Sequence, residues 1–288
     1  MASQRQLKSR IRSVKNTKQI TKAMQMVAAS KMRRAQDATK ATSAYTQSAR
    51  EILAHLAEQG ETKDHPLFTT RDIKKRLLIV VASDKGLAGA YNTNVSKQYI
   101  RELTSDNKVG VHTKTIAIGR KMTILATRLK DDELIGAYED LPDQLTGFEL
   151  RPALDSAYKQ FVDGEVDAVD MIYTEFISSV NQVVKTERLL PAGSMKAPES
   201  DDLNEALFEP DTETVLESVV YRLLNAQLFQ AFLDARASEH SMRMLAMKNA
   251  TDNATDLIDD LTLAMNKARQ AAITQELAEI SGGAEAMK

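Results

Sequence analysis

Cysteine and tryptophan are absent from this 288-residue chain, and the two residues that interrupt regular structure are scarce, with 11 Gly and 6 Pro. Average usage of about 7% Gly and about 5% Pro would give roughly twice as many. The missing cysteine excludes a disulfide framework and a thiolate metal site. No long apolar run occurs: the longest, Leu77–Ala82, is far short of the ~20 residues that span a bilayer. No signal-peptide apolar core is present either. The near-zero net charge of −2 excludes nothing until its distribution is read.

The positions of the breakers carry more than their number. The first Gly is Gly60 and the first Pro is Pro66; after Pro210 no breaker occurs until Gly282 and Gly283. Residues 1–59 and 211–281 therefore read as two very long helices flanking a middle domain. Residues 1–59 hold 12 Lys+Arg against 3 Asp+Glu, residues 60–210 hold 19 against 25, and residues 211–288 hold 7 against 12. A basic first arm and an acidic last arm suit helices that pair. A basic helix equally suits nucleic acid or acidic partner loops.

Ser3-Gln4-Arg5-Gln6 fits a capping box at the start of the first arm. Leu7, Ile11 and Val14, then Met24, Ala28, Met32, Ala35, Ala38, Tyr45, Ala49, Ile52 and Leu56, roughly follow one face. Gly60 is the expected stop. The last arm is expected to start at Pro210, with Asp211 and Glu213 in the first turn, where the helix dipole favours acids. Leu257, Leu261, Ala264, Ala268, Ala271, Gln275 and Ala278 step 4,3,4,3,4,3 and predict a heptad seam that Gly282-Gly283 ends. At 1.5 Å per residue the arms would span about 90 Å and about 105 Å. A middle domain of about 135 residues has a radius of gyration near 14 Å. The expectation is an antiparallel two-helix coiled coil projecting from a globule. Its Ala- and Met-rich seam and the polar stretch Lys248–Asn253 bury little apolar area, which suggests a surrounding partner. A plain dimerising coiled coil is the other reading.

The middle domain alternates. Arg76–Ser83 reads as a buried strand, followed by the turn Asp84–Gly89 and a helix around Asn92–Leu103. Lys114–Ile118 reads as a second strand, with Gly119 opening a helix to about Leu129. Ile135–Tyr138 reads as a short strand, Pro152–Val162 as a helix, Val169–Phe176 as a strand, and Val180–Leu190 as a last strand. A hairpin at Phe176–Val180 would make that last strand antiparallel. The fold class expected is α/β, with a Rossmann-like, mostly parallel sheet over 60–190. The proline-rich, acidic stretch 191–210 reads as a linker to the helix of 211–288.

Catalytic motifs are missing. Gly86-x-x-Gly89 lacks the three-glycine dinucleotide spacing, and no phosphate-binding G-x-x-x-x-G-K-[ST] loop occurs. His55, His65, His112 and His240 are scattered without ligand spacing. No G-x-S-x-G elbow is present. Asp259 and Asp260 are adjacent on one helix and point about 100° apart. The residues alone point to a non-enzymatic interaction protein without a cofactor or bound metal.

Three segments carry a resemblance. Leu7–Arg33 (LKSRIRSVKNTKQITKAMQMVAASKMR), Ser83–Asn92 (SDKGLAGAYN) and Asn266–Ala286 (NKARQAAITQELAEISGGAEA) are similar to the gamma subunit of the F-type ATP synthase. The last contains that family's signature at Ile273, Thr274, Glu276, Glu279, Gly283 and Ala284. The resemblance implies a shaft formed by the two arms inside a ring of three alpha and three beta subunits. It places the α/β domain below, forming a foot on the c-ring with the epsilon subunit, with one copy per complex. Proton flow would turn the ring and shaft, and the asymmetric shaft would drive the beta subunits in turn.

Carried over by position, Arg269 and Gln270 match the catch between shaft and beta-subunit loop. Met24 matches a position facing that loop, and Arg243, Thr274 and Glu276 match residues linked to the same coupling. Phe208-Glu209-Pro210-Asp211 resembles the foot segment, with Glu209 the implied c-ring contact; a Tyr common in the family is Ala206 here. The chloroplast members' regulatory cysteine pair is excluded. The motif begins at Leu7, which implies no transit peptide and a bacterial protein on the cytoplasmic face of the membrane. The alternative from the charge pattern is a nucleic-acid-binding coiled-coil protein using the basic arm.

Overall fold

A computed structural model describes residues 4–58, 66–129, 133–142, 146–192 and 212–286; within its helices the side chains of 43–45, 49–58, 212–217 and 283–286 lie outside that description. The elements are α1 (Gln4–Glu58), β1 (Lys75–Val81), α2 (Tyr91–Val109), β2 (His112–Ile118), α3 (Arg120–Ala126), β3 (Glu133–Tyr138), α4 (Arg151–Val162), β4 (Ala168–Phe176), β5 (Gln182–Leu190) and α5 (Thr212–Ala286). The helices α1 and α5 contain 55 and 75 residues. The breaker-free stretches thus form two unbroken helices, one before and one after the α/β elements in sequence. Ser3, Gly60, Pro210, Asp211 and all of the expected linker after Ala192 lie outside the described residues. Two compact units result, Met1–Ala28 with Arg243–Lys288, and Ala29–Met242.

The Ala29–Met242 unit is built on a five-stranded sheet of order β3-β2-β1-β4-β5. The first four strands are mutually parallel, and β5 is antiparallel to β4. The reversal follows from the short connection, where Ser178 N–H donates to Asn181 O at 2.9 Å and Ser178 Oγ accepts from Asn181 N at 3.0 Å. Residues of β1 are buried on both faces, which is why Leu77–Val81 is continuously apolar rather than alternating. Leu77, Ile79, Val81, Val169 and Met171 face a layer formed by α4 and by Val220, Leu224, Leu228 and Phe232 of α5. Leu78, Val80 and Ile172 face Tyr91, Val95, Tyr99 and Leu103 of α2 and Met122 of α3. The first third of α5 is therefore a core element of the α/β domain.

A charged network interrupts the α2 layer. Arg76 Nε donates to Asp170, and its Nη1 donates to Glu102 at 2.9 Å and to Asp106 at 3.1 Å. Arg188 also donates to Asp170, and Thr113 Oγ1 donates to Asp106 at 3.1 Å. Burial alone would lower the Arg76 pKa, but Asp170 and Asp106 raise it well above the ordinary value. Burial pushes Glu102 up, and the hydrogen bonds from Arg76 and Thr186 outweigh it and hold the carboxyl below its usual range.

One expected helix boundary is corrected. Gly282 and Gly283 do not end α5, which continues to Ala286. Gly in a helix costs about 1 kcal/mol relative to Ala, a penalty that weakens a helix without breaking it. A C-terminal stop also needs a left-handed backbone, and Gly282 is not in that conformation.

Candidate functional site

Open parallel sheets take ligands outside the carboxyl ends of their strands, where the strand order switches. Here that place lies between β1 and β4. Asp84, just after β1, accepts N–H bonds from Arg120 at 3.0 Å and Asp140 at 3.2 Å through Oδ1. Asn92 Oδ1 accepts from Ser83 N at 3.1 Å. On the same edge of the sheet, Ser238 of α5 donates to Thr174 O at 3.2 Å, and Ser241 donates to Ser179 O at 2.8 Å. The long helix thus occupies the edge where a doubly wound domain holds a nucleotide. Among the described residues no group of three or more His, Asp or Glu is placed to hold a metal ion.

Next to these serines, Asp234 of α5 is half-buried near the β4–β5 hairpin. Desolvation and the nearby Glu175 carboxylate raise its pKa to about 7. Lys185 donates to Glu175 at 2.6 Å, and Tyr173 donates to Glu187 at 2.7 Å.

The other unit, Met1–Ala28 with Arg243–Lys288, contains every candidate coupling residue; the candidate foot contact Glu209 lies outside the described residues. Its two helix segments touch along a stripe. On α1 a row of buried or half-buried positions runs through Leu7, Ile11, Val14, Lys18, Thr21, Gln25 and Ala28. On α5 a matching row runs through Met247, Thr251, Ala254, Ile258, Leu261, Met265 and Ala268. Both step alternately by three and four, the spacing of a coiled-coil seam. Thr21 and Thr251 meet, and from that point the stripe runs back to Leu7 on α1 and forward to Ala268 on α5. Stretches of nearly equal length match only if the two helices run antiparallel.

This corrects the expected α5 seam. Leu261 and Ala268 belong to it, but Leu257 is 47% exposed and Ala264 is exposed, their places being taken by Ile258 and Met265. The two rows lie one residue, or about 100°, apart. Beyond Ala268 the expected seam positions Ala271, Gln275 and Ala278 face solvent, as does every residue described from Arg269 to Gly282.

That exposed end of α5 has two unlike sides. Ile273, Leu277 and Ile280 are 48%, 62% and 69% exposed and fall within ~60° of one another around the helix. Arg269 and Glu276 border this apolar row on one flank, and Gln270 and Thr274 border it on the other, all within an arc of ~160°. The Thr274 hydroxyl bonds back to Gln270 O at 2.9 Å. The opposite side carries Ala271, Ala272, Gln275 and Ala278. An apolar centre with a polar rim is the anatomy of a protein interface.

Met24 is half-buried on the flank of the α1 seam, in a row with the exposed Ile20 and Val27. Arg243 is half-buried. Arg269 lies about 27 Å further along α5 than Thr251 at 1.5 Å per residue, so the candidates form two groups. Arg269, Gln270, Thr274 and Glu276 share one face at the helix end, and Met24 lies near the Thr21–Thr251 level. The heptad reading missed Leu277 and Ile280 by following the alanine row. The 4,3 spacing of Ile273, Leu277 and Ile280 was the available signal.

Comparison with known proteins gives these features a family. A family model described as ATP synthase matches residues 3–287. The chain is similar to ATP synthase gamma chains of Stenotrophomonas maltophilia (38% identity over 288 residues, all of both chains) and Cupriavidus metallidurans (40% over 292, all of both). It is also similar to that of Opitutus terrae (41% over 295 residues, 98% of this chain and 97% of the relative). Its fold matches a chain of the Euglena gracilis mitochondrial ATP synthase F1/c-ring structure, with TM-score 0.67 and 18% identity over 99% of this chain and 94% of that one. A second match is a chain of the Tetrahymena thermophila mitochondrial ATP synthase central stalk and c-ring, with TM-score 0.57 and 24% identity over 80% and 99%. No helix among the described residues is long and apolar enough to cross a membrane. The full-length match at this identity, in a chain with a long helix at each end and a mostly parallel sheet between them in sequence, means that the chain belongs to the family of ATP synthase gamma chains.

Proposed function

We propose that this chain is the central rotor shaft of a proton-translocating F-type ATP synthase, coupling rotation of the c-ring to ATP synthesis on the beta subunits. The observation that carries the reading is the end of α5, where an apolar row of Ile273, Leu277 and Ile280 lies uncovered between polar rims. Exposed apolar rows of this kind mark surfaces that a partner covers. The partner proposed is the ring of three alpha and three beta subunits around a single shaft. Arg269 and Gln270 offer donors to acidic loop groups of the beta subunits. Thr274 and Glu276 border the same row, and Met24 and Arg243 act at the lower level of the shaft.

A single asymmetric shaft in a pseudo-threefold sleeve contacts each beta subunit differently, and only differential contact shifts conformational populations. The small side of the helix, Ala271, Ala272 and Ala278, presents little to lock against the sleeve as it turns. The α/β domain, with Glu209 at the c-ring and an epsilon subunit beside it, forms the foot. The chain has no catalytic site of its own and is held at the cytoplasmic face of a bacterial membrane through the complex.

The test is co-expression with the alpha and beta subunits of the same source. Wild type is expected to form a complex that hydrolyses ATP. Ile273→Asp/Leu277→Asp is expected to weaken assembly by about thirtyfold or more, while the isolated chain melts within about 1 °C of wild type because both side chains are exposed. Met24→Lys is expected to assemble and lose coupling. A wild-type chain that forms no complex, or an aspartate pair that assembles normally, would overturn the reading.

A further inference from the structure

The apolar contact between α5 and the sheet is non-directional, and such packing alone tolerates small rotations of a helix about its axis. A different set of bonds fixes that rotation. Arg236 Nη2 donates to Leu141 O, after β3, at 3.0 Å. The same guanidinium lies 4.0 Å from Asp84 Oδ2, after β1, and 3.6 Å from Glu239 Oε2. It stacks over the Phe232 ring, 5.0 Å from the centroid. Asp84 is itself anchored, since its other oxygen accepts from Arg120 N and Asp140 N. On the other flank, Ser238 and Ser241 bond to Thr174 O and Ser179 O, and Gln182 Nε2 donates to Ser241 Oγ at 3.3 Å.

Arg236 projects roughly 140–200° around the helix from the two serines. The helix is therefore gripped from two sides by directional bonds to backbone carbonyls. Rotation in either direction lengthens one set. The grip closes at Ser241, in the last turn before Arg243, where the Ala29–Met242 unit ends and α5 continues without a break.

We infer that Arg236, held by Asp84 and Leu141 O, is a positioning residue that fixes the rotational setting of α5 in the α/β domain and so transmits torque between the foot and the shaft. This rests on the rotor reading above. Torque on a helix is resisted by whichever attachment is angularly stiff, and the Arg236–Ser241 turns hold the directional bonds nearest the point of exit. Loss of the grip leaves the apolar core to carry the load, and the helix slips through part of each step.

The experiment uses the assembled complex in inverted membrane vesicles, with ATP hydrolysis and ATP-driven proton pumping measured on the same preparation. Arg236→Ala is expected to keep hydrolysis within about twofold of wild type while protons pumped per ATP fall about threefold or more. Arg236→Lys keeps the charge without the fork and should fall between the two. Asp84→Asn keeps an oxygen for Arg120 N and Asp140 N and removes only the charge facing Arg236; it should lower the same ratio by a smaller factor. A purely structural role would lower the amount of complex and leave the ratio unchanged. An unchanged ratio in Arg236→Ala overturns the inference; if that variant fails to assemble, an unchanged ratio in Asp84→Asn overturns it. Failure of the wild-type chain to assemble instead overturns the rotor reading.

Discussion

Thr21 and Thr251 place their hydroxyl oxygens 2.8 Å apart in the seam between α1 and α5. Each is also within hydrogen-bond distance of a carbonyl of its own helix, Thr21 of Lys18 O at 3.1 Å and Thr251 of Met247 O at 2.8 Å. A polar pair at one level of the seam specifies register, because slipping by a turn separates the two oxygens. Thr251→Val is expected to cost about 1 kcal/mol by leaving Thr21 facing a methyl group. Thr21→Val/Thr251→Val should cost less than the two single changes together, by about 0.5–1 kcal/mol. Denaturant midpoints of the four chains check this, and additive losses would sink it.

Asp234 makes stability depend on pH. Its pKa in the folded chain is about 7, above the ordinary 3.8, because burial and Glu175 disfavour the charged form. A raised carboxyl means the folded state binds the proton more tightly than the unfolded one. Its contribution is thus full below about pH 4 and is lost as pH rises through about 7. Asp234→Asn keeps the neutral form at every pH. The variant should melt higher than wild type at pH 8 and by a clearly smaller margin at pH 5, where much of the contribution is still present. Melting curves at the two pH values decide it; equal differences at both would show that Asp234 does not titrate in this range.

Gly119 stands at φ +98°, and a Cβ there would lie 2.2 Å from Ala82 O. Its N–H donates to Tyr138 O at 2.8 Å, so the ends of β1, β2 and β3 meet at this residue. Gly119→Ala combines a backbone conformation that L-residues avoid with a clash against main chain that cannot rotate away. The expected cost is about 3 kcal/mol or more. Gly86→Ala, in the neighbouring turn with open space around it, is expected to fall within about 1 kcal/mol of wild type. Thermal melts of the two variants test the contrast, and similar melting temperatures would count against it.

The α/β core was legible because its strands obey short-range rules. The strand after Arg76, the Gly119 helix opening and the hairpin at Phe176–Val180 each follow from burial on both faces, a breaker or a short turn, and the sheet has them. The charged network was not legible. Arg76 is brought to Glu102 and Asp170 across 26 and 94 residues of chain, and no local pattern announces it.

The seams show the same division. Apolar periodicity located Leu7, Ile11, Val14 and Ala28 on α1, but the stripe continues through Lys18, Thr21 and Gln25, which polarity alone assigns to the surface. Long side chains can bury their stems while their heads reach water, so a lysine can occupy a seam position. On α5 two rows compete, and the Leu257 row was as plausible as the Ile258 row.

Two long helices, an alternating α/β core and a family signature are readable from neighbours along the chain, because breaker positions, local periodicity and motif residues are local properties. Which row of α5 packs against α1, where α5 becomes exposed beyond Ala268, and how Arg236 and the two serines grip it emerge from the packed fold. A helix places apolar rows only about 100° apart at successive residues. The choice between such rows belongs to the surface that packs against them, which no window of sequence contains.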